Sequence, residues 1–230
     1  MKKVTLLFSL IVISLFGFSQ INYTDVSPDD TLYADYVSDS KTIDFDGDFN
    51  PELMLFSSKK DTVINSFNVT ISGVAISTFG NTEIVARLTT IGNTDVLIAD
   101  TLQTSTVIDG SSSYLSSSTP SVFPGVGLGV QTDFGGLAVG DFIDNGELYV
   151  GVKFEIASNV HYGWVRVKVS ALAETGIVYD FAYEETSATS IQAGELPTGF
   201  VGVNNNEVSS VDIYSSNNKV YIRGNGVKGN

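Results

Sequence analysis

Hydrophobic and polar residues alternate most clearly between Glu147 and Glu185, where three such runs follow one another with short turn-like segments between them. In the first run, apolar side chains occupy every second position: Leu148, Val150, Val152, Phe154 and Ile156. A period of two is typical of a half-buried β-strand. The stretch is therefore predicted to lie at the centre of a β-sheet.

The second and third runs continue this pattern. The second predicts one face of Val165, Val167 and Val169, and an opposite face of Tyr162, Trp164, Arg166 and Lys168. The third is predicted to place on one side Ile177, Tyr179, Phe181 and Tyr183. Short links between such runs favour antiparallel neighbours, so the three strands are expected to form a β-meander.

The rest of the chain repeats the alternation in shorter runs, and no amphipathic helical pattern occurs after residue 20. Gly, Ser, Thr, Val and aromatic residues dominate, which is typical of sandwiches and jelly rolls. We therefore expect an all-β fold, an antiparallel β-sandwich that is jelly-roll-like, over residues 21–195. The segment 110–129 is low in charge and rich in Ser, Gly and Pro, and it is predicted to be a long loop.

The first twenty residues have the pattern of a signal peptide. Lys2 and Lys3 precede an apolar run, Leu6 to Phe16, and small residues follow it. The run is shorter than the ~20 residues that a spanning helix needs. We expect removal of residues 1–20, a mature chain that begins near Gln20 or Ile21, and a protein that is secreted or on the outer cell surface. With no Cys in the chain, a lipoprotein anchor is excluded.

At the other end, residues 196–207 read as a linker with Pro, Gly and three consecutive Asn. Residues 208–230 follow as a short tail, with two predicted strands, Val211 to Tyr214 and Lys219 to Arg223, around a polar turn.

Two resemblances bear on the class of protein. The run HYGWVRVKV, followed by IVYDFAYEETSATSIQAGE, resembles a motif of Bacteroidetes-type secreted β-rich proteins, and some exosortase-sorted proteins look similar. This resemblance covers Tyr149 to Glu195 and implies no ligand or activity. The tail resembles the opening of the C-terminal sorting domain of type IX secretion cargo, which implies the type IX secretion machinery as a partner.

The net charge of the chain excludes some classes of binding partner. The chain carries 12 Lys and Arg against 26 Asp and Glu, a formal charge of −14 that becomes −16 when Lys2 and Lys3 leave with the leader. Such a surface repels nucleic acid and anionic lipid and supplies oxygen ligands for hard cations. We expect no nucleic-acid partner and no membrane insertion after the leader is removed.

Several of the acidic side chains that could bind a hard cation lie in one loop. Acidic and amide side chains take every second position: Asp44, Asp46, Asp48, Asn50 and Glu52. The spacing resembles the Asp-x-Asp-x-Asp-Gly-x-x-Asp calcium loop of integrin-type and related β-hairpin repeats. It predicts a Ca²⁺ site in which the acidic side chains and the Asn50 carbonyl are ligands. Phe49 stands where that motif has Gly. The alternative is a solvated acidic turn without metal.

A second candidate is the outward face of the meander. Four residues are predicted to bind a ligand there: Tyr149, Tyr162, Trp164 and Arg166. Aromatic rings beside charged groups on a flat sheet make a plausible platform for a polysaccharide. The alternative is that another strand or loop covers this face and that Trp164 belongs to the core.

Support for catalysis is weak. His161 is the only imidazole, and the carboxylates Glu155, Asp180, Glu184 and Glu185 carry no signature that places two of them face to face. We expect no enzyme but a secreted or cell-surface binding or structural module, with a polysaccharide or cell-surface component as its partner. The alternative is a glycan-active enzyme or its carbohydrate-binding module, which a groove with paired carboxylates would favour.

Overall fold

The computed structural model describes residues 20–64, 66–91, 94–121, 125–133, 138–198, 211–216 and 219–224. Over these ranges the regular structure is β-strand without helix, which confirms the predicted all-β class. A search of the same ranges finds no helix long and apolar enough to cross a membrane. The expected leader, except Gln20, most of the expected linker and part of the expected tail lie outside the described residues.

The chain divides into two compact units between Thr198 and Gly199. The first unit contains β1 (Ile21–Tyr33), β2 (Asp39–Ile43), β3 (Leu53–Ile64), β4 (Phe67–Thr78), β5 (Glu83–Ile91), β6 (Thr94–Ala99), β7 (Val107–Ile108), β8 (Tyr114–Leu115), β9 (Val126–Thr132), β10 (Ala138–Val139), β11 (Glu147–Ile156), β12 (Asn159–Val169), β13 (Thr175–Glu184) and β14 (Ile191–Gln192). The second contains a hairpin of β15 (Val211–Ser216) and β16 (Lys219–Gly224).

Most strands of the first unit belong to one sheet, in the order β1-β13-β12-β11-β5-β6-β9-β4-β3-β2. Short strands β8 and β10 add to β5 and β9, while β7 and β14 form a separate pair. The end strands β1 and β2 contact each other, so the sheet curls until it is nearly barrel-shaped. The strands β6 and β9 are parallel, at Ile98 and Gly127. The predicted purely antiparallel arrangement is therefore corrected to a mixed sheet.

The predicted meander is present as β11, β12 and β13, antiparallel and adjacent. Leu148, Val150, Val152 and Phe154 of β11 are buried on one face, with the three predicted valines of β12, at 165, 167 and 169, beside them. Together with side chains from β2–β6 and β9 they fill the interior of the curled sheet, which we call the main core. Alternation in the sequence thus identified the core-facing side of two strands correctly.

In β13 the predicted alternation is wrong. Arg166 pairs with Asp180, but Val167 pairs with Val178, so Tyr179 is an extra residue opposite β12. Such a β-bulge shifts the side chains that follow it to the other face. As a result Val178, rather than Ile177 or Tyr179, packs in the main core with Phe181 and Tyr183.

The segment predicted as a loop up to residue 129 also differs, because β9 begins inside it at Val126. Val126 and Leu128 are fully buried in the main core. A Cβ atom on Gly129 would lie 2.6 Å from Cγ1 of Ile143, so this glycine permits close packing. Here a glycine-rich composition indicates tight contact between strands, not a flexible loop.

The outer face of the meander carries a second core. The pair β7 and β14 places Ile108 and Ile191 over Trp164 and Tyr162. The other buried members of this second core are Ile21, Val85, Leu102, Ala182 and Ala193. The meander is therefore buried on both faces at this position.

Candidate metal centre

The acidic loop connects β2 to β3. Its two ends, Ile43 and Leu53, are paired across the strands and fully buried in the main core. The amide of Glu52 donates to the carbonyl of Ile43 at 3.0 Å, which extends the ladder by one bond. The intervening residues, 44–51, thus leave and re-enter the sheet at fixed points.

Phe45 fixes the middle of the loop to the core. Its ring stacks on Phe154 with centroids 4.7 Å apart and meets the rings of Phe181 and Tyr183 edge-on, at 5.3 and 6.2 Å. Such contacts favour one position of a ring over others. Asp44 and Asp46, the chain neighbours of Phe45, are thereby held close to the protein body.

The four acidic side chains converge. Asp44, Asp46, Asp48 and Glu52 each offer one oxygen, and these oxygens all lie within 4.8 Å of one another. Ca–O distances are about 2.4 Å, so ligands on opposite sides of one ion are about 4.8 Å apart. The spacing and the purely oxygen donor set therefore fit a hard cation.

Backbone amides orient these carboxylates. Asp44 accepts from the amides of Gly47 and Phe49 at 2.7 and 2.8 Å, and Glu52 accepts from the amide of Phe45 at 2.7 Å. These bonds curl the loop inward. The side chain of Asn50 donates to Asp48 at 3.2 Å. Since a carboxylate oxygen has more than one acceptor position, these bonds leave lone pairs for a cation.

The electrostatics of the loop are unfavourable without a counter-ion. Partial burial, with the charges of Asp46 and Asp44 adding to it, raises the pKa of Glu52 to about 7, although the Phe45 amide acts in the opposite direction. Burial also raises the pKa of Asp46, and the nearby charges of Asp48 and Asp44 act the same way. A bound cation would relieve both the repulsion and the desolvation cost.

Phe49, the residue that departs from the calcium-loop pattern, has a φ of 70°. This is the left-handed region that favours glycine. Its side chain is 94% exposed, so burial of the ring does not compensate for the backbone conformation.

The loop borders an open depression of about 330 Å³. Two other turns complete its lining: residues 79–82 between β4 and β5, and residues 155–158 between β11 and β12. Asn81 donates to Glu155 at 2.9 Å across these turns. A neighbouring depression of about 320 Å³ shares 80–82 and Glu155. The sequence carried no sign of this arrangement, because the two turns are distant from the loop along the chain.

The aromatic platform predicted on the meander is replaced by its alternative, a covered face. Trp164 is 1% exposed and Tyr162 is buried with it in the second core. The half-buried Tyr149 meets the Trp164 ring edge-on at 5.2 Å. Because β7 and β14 lie over these rings, a sugar cannot stack on them in this conformation.

Arg166, the fourth residue of that predicted site, is held in an ion-pair network. It donates from Nε and Nη2 to the two oxygens of Asp180, at 2.9 and 2.6 Å, and from Nη1 to Glu147 at 2.8 Å. Tyr23 of β1 donates to the same Asp180 carboxylate at 3.0 Å. Asp180 is buried, and its carboxylate joins β1, β12 and β13 because it accepts hydrogen bonds from Tyr23 and Arg166.

The other candidate catalytic groups have different surroundings. Glu184 is fully buried, and Nδ1 of His161, itself buried, lies 2.9 Å from the Glu184 carbonyl oxygen. Glu185 is exposed and accepts from Asn22 at 3.4 Å. Glu155 lies on the two depressions described above.

Comparison of the chain with protein-family models, curated proteins and solved structures gave no match.

Proposed function

We propose that this protein is a secreted or cell-surface β-module whose 44–52 loop binds Ca²⁺, and which binds a polysaccharide or cell-surface component beside that loop. Export through the leader, and delivery by the type IX secretion machinery through residues 208–230, belong to the same proposal. So does the classification of the curled sheet as a jelly-roll-like sandwich of two facing halves. No catalytic step is part of it.

One observation carries the calcium proposal: four carboxylate oxygens lie within 4.8 Å of one another in a loop anchored to the core. Ca²⁺ takes about six to eight oxygens and tolerates irregular geometry, whereas Mg²⁺ demands a nearly octahedral set and loses water reluctantly. The loop supplies its ligands from alternate positions between Asp44 and Glu52, which suits the more tolerant ion.

The role of the ion is to stabilise the fold. A ligand that binds only the folded state adds ~2.7 kcal/mol at a hundredfold excess over its dissociation constant. Phe45 connects the loop to the aromatic cluster of Phe154, Phe181 and Tyr183. Order imposed on the loop therefore extends to the main core.

The depression supports a binding role. Four carboxylates leave coordination positions that water or ligand oxygens must fill, since Ca²⁺ takes about six to eight. Polysaccharides offer hydroxyl and carboxylate oxygens for these positions. Asn81 and Glu155, which line the same depression, offer further hydrogen bonds to sugar hydroxyls.

Retention on a panel of neutral and uronate-containing polysaccharides, measured in Ca²⁺ and then in chelator, tests the binding proposal. We expect retention on at least one polysaccharide in Ca²⁺ and release by chelator. The double variant Asp46→Asn/Asp48→Asn should not be retained. The matched control Asp29→Asn/Asp144→Asn removes the same charge at exposed positions outside the 44–52 loop and should bind normally. No retention on any polysaccharide, or retention that chelator leaves unchanged, would contradict the proposal.

A further inference from the structure

The side chain of Glu184 is fully buried at the end of β13. Its Oε1 accepts the backbone amide of Gln20 at 3.1 Å and the amide of Thr186 at 2.8 Å. A buried carboxylate is costly unless strong donors surround it. The chemical nature of the Gln20 nitrogen therefore matters to the stability of this corner of the sheet.

Gln20 is held in place by its neighbours on both sides. Its carbonyl accepts the amide of Glu185 at 2.9 Å, and the next residue, Ile21, pairs with Glu184 in the β1–β13 ladder. Ile21 is itself buried in the second core. The nitrogen of Gln20 is thus positioned by strand register, not by a flexible end.

The same nitrogen lies at the predicted end of the leader. Hydrolysis of the Ser19–Gln20 bond by a peptidase adds the elements of water: Ser19 gains a carboxylate, and the Gln20 nitrogen becomes an α-amino group. Such a group has a pKa of about 7.7–8.0 and is protonated at neutral pH. The structure places this nitrogen within hydrogen-bond distance of a buried carboxylate before any rearrangement.

We propose that cleavage before Gln20 creates an α-ammonium group that pairs with the buried Glu184 carboxylate and locks β1 onto β13. In the precursor the same atom is a neutral peptide amide with one hydrogen. The amide's bond to the Glu184 carboxylate is already charge-assisted, and the α-ammonium adds an opposite full charge and further N–H donors, so the bond becomes a buried ion pair. Removal of the leader therefore stabilises the folded chain, and the precursor, which must cross a membrane, is the less stable form.

The lock affects the whole sheet because β1 is one end of the strand order. Val26 and Leu32 of β1 are buried in the main core. Loss of the β1–β13 pairing would expose these side chains together with the edge of β13. A bond at Gln20, the residue directly before β1, holds that strand at the end where it would otherwise fray.

The lock rests on the proposed export with removal of the leader. N-terminal mass analysis of the exported protein distinguishes a failure of the lock from a failure of the leader proposal. A chain that begins with Gln20 supports both. A chain that begins at another residue overturns the lock and leaves export intact. Exported protein that still begins with Met1 overturns the leader proposal itself.

Thermal unfolding of two chains, one beginning at Gln20 and one at Ser19, tests the ion pair directly. We expect the chain with the extra residue to melt several degrees lower. In a Glu184→Gln background this difference should vanish, whereas Glu185→Gln, a change at the exposed neighbour, should preserve it. Equal midpoints of the two chains, or a difference that persists in Glu184→Gln, would overturn the proposal.

Cyclisation of Gln20 gives a readout that does not depend on the variants. A free N-terminal Gln loses ammonia and forms pyroglutamate by attack of its unprotonated α-amine on the side-chain amide. Pairing with Glu184 keeps the amine protonated and fixed, so mass spectrometry should show slower cyclisation in the folded chain than in the same chain in denaturant. Equal rates would contradict the lock.

Discussion

Phe49 is the one residue of the acidic loop whose backbone conformation conflicts with its type. A left-handed φ costs a residue with a Cβ about 1–2 kcal/mol, and part of this is regained by glycine. The exposed ring contributes little burial. We expect Phe49→Gly to raise the free energy of unfolding by about 1 kcal/mol and to tighten Ca²⁺ binding. Chemical denaturation measures the first effect and calorimetric titration the second. Phe49→Ala keeps the strain, so an equal gain in that variant would contradict this explanation.

Glu52 makes the stability of the metal-free protein depend on pH. Its folded pKa, about 7, is above the ordinary value of 4.5, so the folded state binds the proton more tightly than the unfolded state. The contribution of the protonated group is complete below pH 4.5 and is lost as the pH rises through about 7. In chelator, the thermal midpoint should therefore fall between these pH values, and Ca²⁺ should reduce the fall.

Two variants isolate the carboxyl group of Glu52 in that experiment. Glu52→Gln should flatten most of the pH dependence, because the titrating group is gone. Glu155→Gln, a change at another acidic residue that lines the same depression, should leave the pH dependence in place. A midpoint that rises with pH over this range in the wild-type protein would show that the burial of Glu52 is not the dominant effect.

At the scale of elements, the packing of β12 in the second core depends on the buried side chain of Trp164. Removing a buried Trp side chain costs about 3–5 kcal/mol, so Trp164→Ala should severely destabilise the protein. Trp164→Phe should cost much less, because Nε1 of Trp164 has no hydrogen-bond partner among the described residues. Denaturant unfolding monitored by circular dichroism measures both. A folded, fully stable Trp164→Ala variant would mean that the second core is not a structural unit.

The meander shows how far the sequence alone can predict such elements. The strands β11 and β12 carry long alternating runs, and their core faces follow directly from the period of two. The burial of the outer face beneath β7 and β14 could not be predicted in this way, because these strands are only two residues long and show no hydrophobic periodicity. The bulge at Tyr179 was equally invisible, since it depends on how β13 pairs with β12.

The acidic loop could be predicted from the sequence, whereas the depression beside it could not. The loop was predictable because its carboxylates lie within nine consecutive residues, and local spacing is enough to bring them together. The depression was not, because its remaining walls come from turns near Asn81 and Ala157 that only the folded sheet places beside the loop. The sequence thus predicts the acidic cluster but not the surface around it.

At the scale of the first unit, strands from the two ends of its chain pair with each other inside the sheet. Ile21 pairs with Glu184, a contact between residues far apart in the sequence. No local pattern encodes such a contact, which is why an antiparallel sandwich was expected and a mixed, nearly closed sheet is found. Topology of this kind depends on which strands reach one another after collapse.

The division between Thr198 and Gly199 predicts that the tail is dispensable for folding. Deletion of residues 199–230 should leave the thermal midpoint of the first unit nearly unchanged, because the main core and the second core lie before residue 199. Differential scanning calorimetry of the two chains checks this. A drop of many degrees would show that the tail supplies part of the fold.

Calcium-dependent stability is the most direct test of the loop as a metal centre. Thermal unfolding should be recorded for the wild-type protein, Asp46→Asn/Asp48→Asn and the control Asp29→Asn/Asp144→Asn, each in excess Ca²⁺ and in chelator. A Ca²⁺ site in the loop predicts that chelator lowers the midpoint of the wild-type and control proteins by several degrees and leaves that of the loop variant unchanged. A wild-type midpoint that is the same in Ca²⁺ and in chelator would contradict it and leave the loop as an acidic turn.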